Sequence, residues 1–364
     1  MKNKHLILLH SDAPHRGIWK SLTILLSVVL SFSSCQERDT LTWEQFDLSS
    51  FQVCDMTEAS YEVVSPDSIN LADGSGIQIV SDNLLAILDR KNKENVLCFL
   101  NPSTQQFAKT LSTGKSTKEI THPTNIWSQD KSLFCYDVTG KILKIGCNPE
   151  TLETDISLVT KAKAEGMAVA PMAQGQYLME HCEARYLILS PEGQGIDTIG
   201  VFPTEDYPKG VQAINSACRV EMATAPNQKH VVCVNRDWNK IEIYSGEGKN
   251  EHFLSGPIEI DAKIKRIDIP TGAYMLYQSP GYTFFRGVCT SDQGFMVGYI
   301  GLKEEDYHYE GVHTILSFDW NGKPLKMYTF KQGLTRFDYD AQSKSLFCIV
   351  QQDDKYEIIK YALN

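Results

Sequence analysis

No two of the ten cysteines are spaced Cys-x-x-Cys, which removes the usual zinc-ribbon and dithiol frameworks. Ten in 364 residues is also far below the density of a disulfide scaffold. Beyond residue 34 there is no apolar run long enough to cross a bilayer as a helix, so a multi-span membrane protein is excluded. Positive charge is in deficit. Lys and Arg number 35 against 45 Asp and Glu, a net of −10, which argues against a nucleic-acid partner. From about residue 54 no segment sustains a helical period. What is present is ordinary for a folded chain: 42% apolar and 22% charged residues exclude wholesale disorder.

The N-terminus reads as an address. Lys2, Lys4, Arg16 and Lys20 give a basic start, and Ser21 to Ser34 is an uncharged stretch of 14 residues, right for the apolar region of a secretory signal. It ends in Phe32-Ser33-Ser34-Cys35, which resembles a bacterial lipobox, with phenylalanine where leucine is usual. Residues 1–34 are therefore expected to be a lipoprotein signal peptide, with Cys35 the lipidated first residue of the mature chain. Its acyl chains would be the link to the membrane, because removal of the signal takes the net charge from −10 to −13. Gln36-Glu37-Arg38-Asp39 resembles the surface-export signal of Bacteroidetes lipoproteins. The expected location is the outer membrane, on its periplasmic or cell-surface face. Residues 35–53 are expected to be a tether and 54–364 the folded body.

The body repeats. Leu133-Phe134-Cys135-Tyr136-Asp137, Val231-Val232-Cys233-Val234-Asn235 and Leu346-Phe347-Cys348-Ile349-Val350 match position by position. Leu85–Asp89 fits the same frame, and Gln176–Glu180 and Phe295–Tyr299 fit more loosely, giving six copies 43 to 64 residues apart. Five copies lead through another strand to a tight polar turn, at Asn101, Asn148, Ser190, Ser245 and Asp319, each beginning with a residue that accepts the local hydrogen bond. A less regular strand precedes each copy: Gly76–Ser81, Thr124–Ser128, Gly166–Ala170, Arg219–Thr224, Gly287–Ser291 and Arg336–Asp340. Four strands per unit at this spacing predict an all-β fold, a six-bladed β-propeller of four-stranded antiparallel blades. The sixth unit stops after its third strand, so the ring should be closed by an N-terminal strand, best placed at Glu58–Ser65. The signal, Cys35 and the six-unit body with its Asp- or Asn-ended strands resemble the TolB-like six-bladed propeller lipoproteins of Bacteroidetes. The resemblance implies a fold and a compartment, not an activity.

Several motifs are discounted. Thr113-Gly114-Lys115-Ser116 lacks the first glycine of a phosphate-binding loop. Asp338-x-Asp340 lacks the glycine and distal glutamate of a calcium loop and reads as a solvated turn. Cys135, Cys233 and Cys348 hold one repeat position in three blades, too far apart to bond, and read as buried hydrophobes. No cofactor and no metal are expected.

A site is expected where the blade-to-blade connections open. The connection from about Ser255 to Phe285 is unusually long and carries Tyr274, Tyr277 and Tyr282, and the loop from Gly301 to Gly311 carries Tyr307 and Tyr309. Residues entering the inner strands, His122, Glu165, Arg219, Glu221, Arg286 and Arg336, should ring the channel on the same face. Arginines beside tyrosines can bind carboxylates, peptides or sugars, or the tyrosines can simply pack the loops and the charges pair. The favoured reading is a non-enzymatic binding or scaffold lipoprotein for a peptide, glycan or protein partner. The alternative is a channel-mouth hydrolase or lyase on a glycan or peptide, using Glu165, Glu221 and His122.

Overall fold

The computed structural model describes residues 42–363 apart from 203, 205–213, 216, 269–273, 309, 353 and 354. The signal peptide, Cys35 and Tyr309 lie outside the described residues.

Three short strands come first: β1 (Glu44–Gln45), β2 (Gln52–Asp55) and β3 (Tyr61–Val63). Blade one is β4 (Gly76–Ser81), β5 (Leu84–Leu88), β6 (Asn95–Leu100) and β7 (Phe107–Ser112). Blade two is β8 (Pro123–Gln129), β9 (Ser132–Asp137), β10 (Lys141–Cys147) and β11 (Thr154–Lys161). Blade three is β12 (Val169–Pro171), β13 (Tyr177–Glu180), β14 (Tyr186–Leu189) and β15 (Gly195–Ile199). After β16 (Ile214–Asn215), blade four is β17 (Val220–Thr224), β18 (His230–Asn235), β19 (Lys240–Ser245) and β20 (Asn250–Ser255). A hairpin of β21 (Lys263–Asp268) and β22 (Tyr274–Ser279) follows, with β16 beside β22. Blade five is β23 (Tyr282–Ser291), β24 (Gly294–Lys303), β25 (Val312–Asp319) and the first part of β26 (Pro324–Asp340). The second part of β26 is the inner strand of blade six, followed by β27 (Ser345–Gln352) and β28 (Lys355–Ala362). Blades five and six therefore form one eight-stranded sheet around the shared β26.

The ring closes as the repeat count requires. β3 pairs antiparallel with β28, Tyr61 opposite Tyr361 and Val63 opposite Ile359, and supplies the missing outer strand of blade six. The stretch 44–55, mostly read from sequence as tether, lies on the blades. β1 runs parallel to β20 and β2 parallel to β26, and the buried Phe46 and Phe51 cap the core between blades four and five.

The repeat has a packing cause. Leu133, Cys135, Val231, Cys233, Leu346 and Cys348 are all fully buried. Alternate residues of each second strand face opposite neighbouring blades, so Leu85 and Ile87 join the seam with blade six while Leu84 and Ala86 join the seam with blade two. Burying each leucine, isoleucine or valine among these contributes roughly 1.5–3 kcal/mol. Burial pushes the Cys98 thiol up to about 12, consistent with an inert hydrophobe. The first two turns are Asx turns: Asn101 Oδ1 accepts the N–H of Ser103 and Thr104, and Asn148 Oδ1 those of Glu150 and Thr151.

The acid ending the second strand has its own role. Asp89 accepts the N–H groups of Ala72 and Asp73, and Asp137 those of Thr121 and His122. Each ties down the segment that leads into its own blade. The seam between blades three and four adds a charged network: Arg185 is 1% exposed and lies 3.3 Å from Glu242, which is fully buried. Tyr186 and Tyr244 donate to the same carboxylate at 2.9 and 2.6 Å.

Candidate functional site

The six inner strands surround a channel of about 600 Å³. Its polar wall is largely engaged with itself. Asn125 Nδ2 donates to the Val169 carbonyl, Thr224 Oγ1 to Pro171, Thr290 Oγ1 to Thr224, and Asp338 accepts from Gln78 and the Ile79 N–H. Each bond crosses from one blade to the next, so this belt holds the ring together. Asp338 is 6% exposed within it, not the solvated turn that its sequence context suggests, because the last inner strand abuts the first.

Chemistry of a different kind gathers where the inner strands begin. Arg219 precedes β17 and grips Asp237 through Nε at 3.0 Å and Nη2 at 2.6 Å, with Glu304 at 3.7 Å. Glu221 on β17 accepts the Gly287 N–H at 2.7 Å and lies 3.7 Å from Arg336. Arg336 also donates to the Ser75 carbonyl, bridging blades six and one. Arg286 on β23 donates to the Tyr307 hydroxyl at 3.2 Å. Five of the expected residues thus come together: Arg219, Glu221, Arg286, Arg336 and Tyr307.

The structure adds residues that sequence reasoning missed. Arg236 lies in the turn after β18, within electrostatic range of Arg219, Asp237, Glu221 and Arg286. Its Nε is buried and meets no acceptor among the described residues, and the same holds for the Nε of Arg286. Burial first, and then the Arg219 charge, hold Arg236 below the usual arginine range. Arg336 is lowered as well, by burial, with Glu221 opposing and Arg286 adding to the shift. Glu180, ending β13, is 5% exposed with an unpartnered Oε1. Burial pushes it up to about 7, against the pull of Arg185. The signal for Arg236 and Asp237 is their place directly after the Asn235 that ends the repeat unit.

Other expected residues stay apart. His122 and Glu165 are exposed, and the bonds of His122 run through its backbone to Asp137 and Val138. Tyr282 stacks on Phe284 at 5.3 Å and packs on the seam of blades four and five. Tyr277 is half-buried on the face of β22 opposite the buried Leu276 and Gln278. Tyr274 opens β22, and its side chain is outside the described residues. What reads as one long loop is the β21–β22 hairpin, pinned by Gln278 Nε2 on the Asp237 carbonyl at 2.6 Å. Among the described residues no His, Cys, Asp or Glu group could hold a metal, and no helix is long and apolar enough to cross a membrane.

No curated protein matches the sequence. Among solved structures, a Bacteroides fragilis protein described as exported superposes with a TM-score of 0.52 at 12% identity, covering 85% of this chain and 98% of its own. The hydrazine synthase of Kuenenia stuttgartiensis gives a TM-score of 0.45 at 9% identity, over 83% of this chain and 98% of its own. These likenesses concern the fold alone. A sequence profile of the TolB-like 6-blade propeller-like family matches residues 76–361, from the first strand of blade one into the last of blade six, and the chain belongs to that family.

Proposed function

We propose that the protein is a binding or scaffold module of the cell envelope, anchored to the outer membrane through lipid on Cys35, that receives a peptide, glycan or protein partner at its arginine-lined mouth. One observation carries the reading. Arg219, Arg236, Arg286 and Arg336, from three blades, gather around Glu221 and Asp237 in a chain whose net charge is −10. Like charges brought together under partial burial raise the free energy of the empty site, and an anionic group on a partner relieves that repulsion. The export signal in the sequence and the exported structural neighbour support an envelope setting. The hydrolase or lyase alternative needs Glu165, Glu221 and His122 to converge, and each has separate surroundings.

The test is an array of acidic and neutral glycans and peptides probed with the full mature chain and with Arg336→Ala. Acidic ligands retained by the parent and lost by the variant are expected. Equal retention by both would overturn the mouth as the site. Labelled palmitate incorporated by the parent but not by Cys35→Ala checks the anchor.

A further inference from the structure

We propose that the arginine mouth is built for a tetrahedral dianion, a phosphate group, held between Arg236 and Arg286. The inference rests on the mouth being a ligand site and names the chemistry it takes.

Some charges of the mouth are already answered. Asp237 is bound bidentately by Arg219. Glu221 has one oxygen on the Gly287 N–H and the other 3.7 Å from Arg336. Arg236 and Arg286 remain. Arg286 has only the neutral Tyr307 hydroxyl, and the guanidinium of Arg236 has no hydrogen bond or ion pair among the described residues. Arg219 takes Asp237 and Glu304, and Arg336 takes Glu221, which leaves two positive charges without a carboxylate among the described residues, on Arg236 and Arg286, whose Nε atoms are buried. A carboxylate would cancel one of them, whereas a dianion cancels both.

Shape points the same way. A planar carboxylate turns both oxygens toward a single guanidinium fork and keeps only its outer lone pairs for a second. A tetrahedral oxyanion has oxygens left over for a second fork, and Arg236 and Arg286 bring two forks from different blades. The hydroxyl of Tyr307, already on Arg286, fixes that side chain from the outside. The belt along the channel wall offers no comparable group, since its amides and hydroxyls bond across the blades.

The experiment is calorimetric titration of the full mature chain with inorganic phosphate, sulfate, acetate and chloride at matched ionic strength, with a hexose 6-phosphate alongside. Saturable binding of one phosphate or sulfate per chain is expected, with acetate and chloride at least tenfold weaker. Arg236→Gln and Arg286→Gln should each weaken phosphate at least tenfold. Lys131→Gln, which removes the same charge from an exposed turn, should leave it unchanged. Should a glutamine variant fail to fold, Arg236→Lys replaces it: the charge stays, the fork is lost, and binding should still drop. Tighter binding of the hexose phosphate places the dianion on a sugar, and equal binding places it on free phosphate. Acetate binding as tightly as sulfate would overturn the dianion and leave the mouth standing. Array ligands bound equally by parent, Arg236→Gln and Arg336→Ala would overturn the mouth itself.

Discussion

Single side chains decide the stability of the seam between blades three and four. Arg185 and Glu242 are buried together, and Tyr186, Tyr244 and Asn235 add hydrogen bonds to them. Removing one partner strands the other without water, at a cost of about 3–5 kcal/mol. Arg185→Met is therefore expected to lower the urea midpoint sharply, and Arg185→Met with Glu242→Leu to recover part of the loss. Glu180 makes a second expectation at this scale. Its carboxyl is pushed by burial from an ordinary 4.5 up to about 7. The folded state thus holds the proton more tightly than the unfolded state. The associated stability is complete below about 4.5 and is lost as pH rises through about 7. Melting curves from pH 4 to 8 should show this fall, and Glu180→Gln should flatten it. An unchanged slope in the variant would place the titration elsewhere.

Strands and turns were legible where one residue type does one job in every blade. Cys135 and Cys348 mark second strands because they are fully buried, and Asn101 and Asn148 mark turns because their side chains accept two N–H groups each. The acid closing the second strand belongs to this set. Asp137→Ala frees the Thr121 and His122 N–H groups and should cost on the order of 2 kcal/mol by denaturant titration, with Asp89→Ala similar. Elements without such a marker were legible only in part or not at all. Of β26 the inner strand Arg336–Asp340 was read, but not its unbroken run from blade five, and the residues of β2 are exposed or half-buried, so no apolar alternation announces them. The hairpin of β21 and β22 hides for the same reason, with five of the six β21 residues exposed and the sixth, Ile264, half-buried. The site was legible in part. Position at the start of an inner strand found Arg219, Arg286 and Arg336, but named His122 and Glu165 equally. Arg236 escaped because it reaches the mouth from a turn.

At the scale of the whole ring, closure rests on three residue pairs between β3 and β28, with the Tyr61 and Tyr361 rings 5.6 Å apart and the Ser65 hydroxyl accepting the Ile358 N–H. A mature chain shortened to begin at residue 57 keeps this strand and loses β1, the short turn at residues 48–50 and β2. A chain beginning at residue 66 opens the ring. The first should unfold in one transition at a lower midpoint than the parent. The second should lose cooperativity or pair its open edge with another copy, seen as a dimer in sedimentation. A single sharp monomeric transition in the second would show that closure is dispensable.

The N-terminal strands also govern how the fold meets a mechanical load. Tension applied from the N-terminal side reaches β1 first, held by two residue pairs, then the buried Phe46 and Phe51, then β2 with four pairs, and only then β3. These fastenings lie in series and yield one at a time. Each fastening passes its load to the blade it sits on, β1 to blade four and β2 to blade five, so the segment peels and lengthens stepwise and absorbs a tug before blade six loses its outer strand.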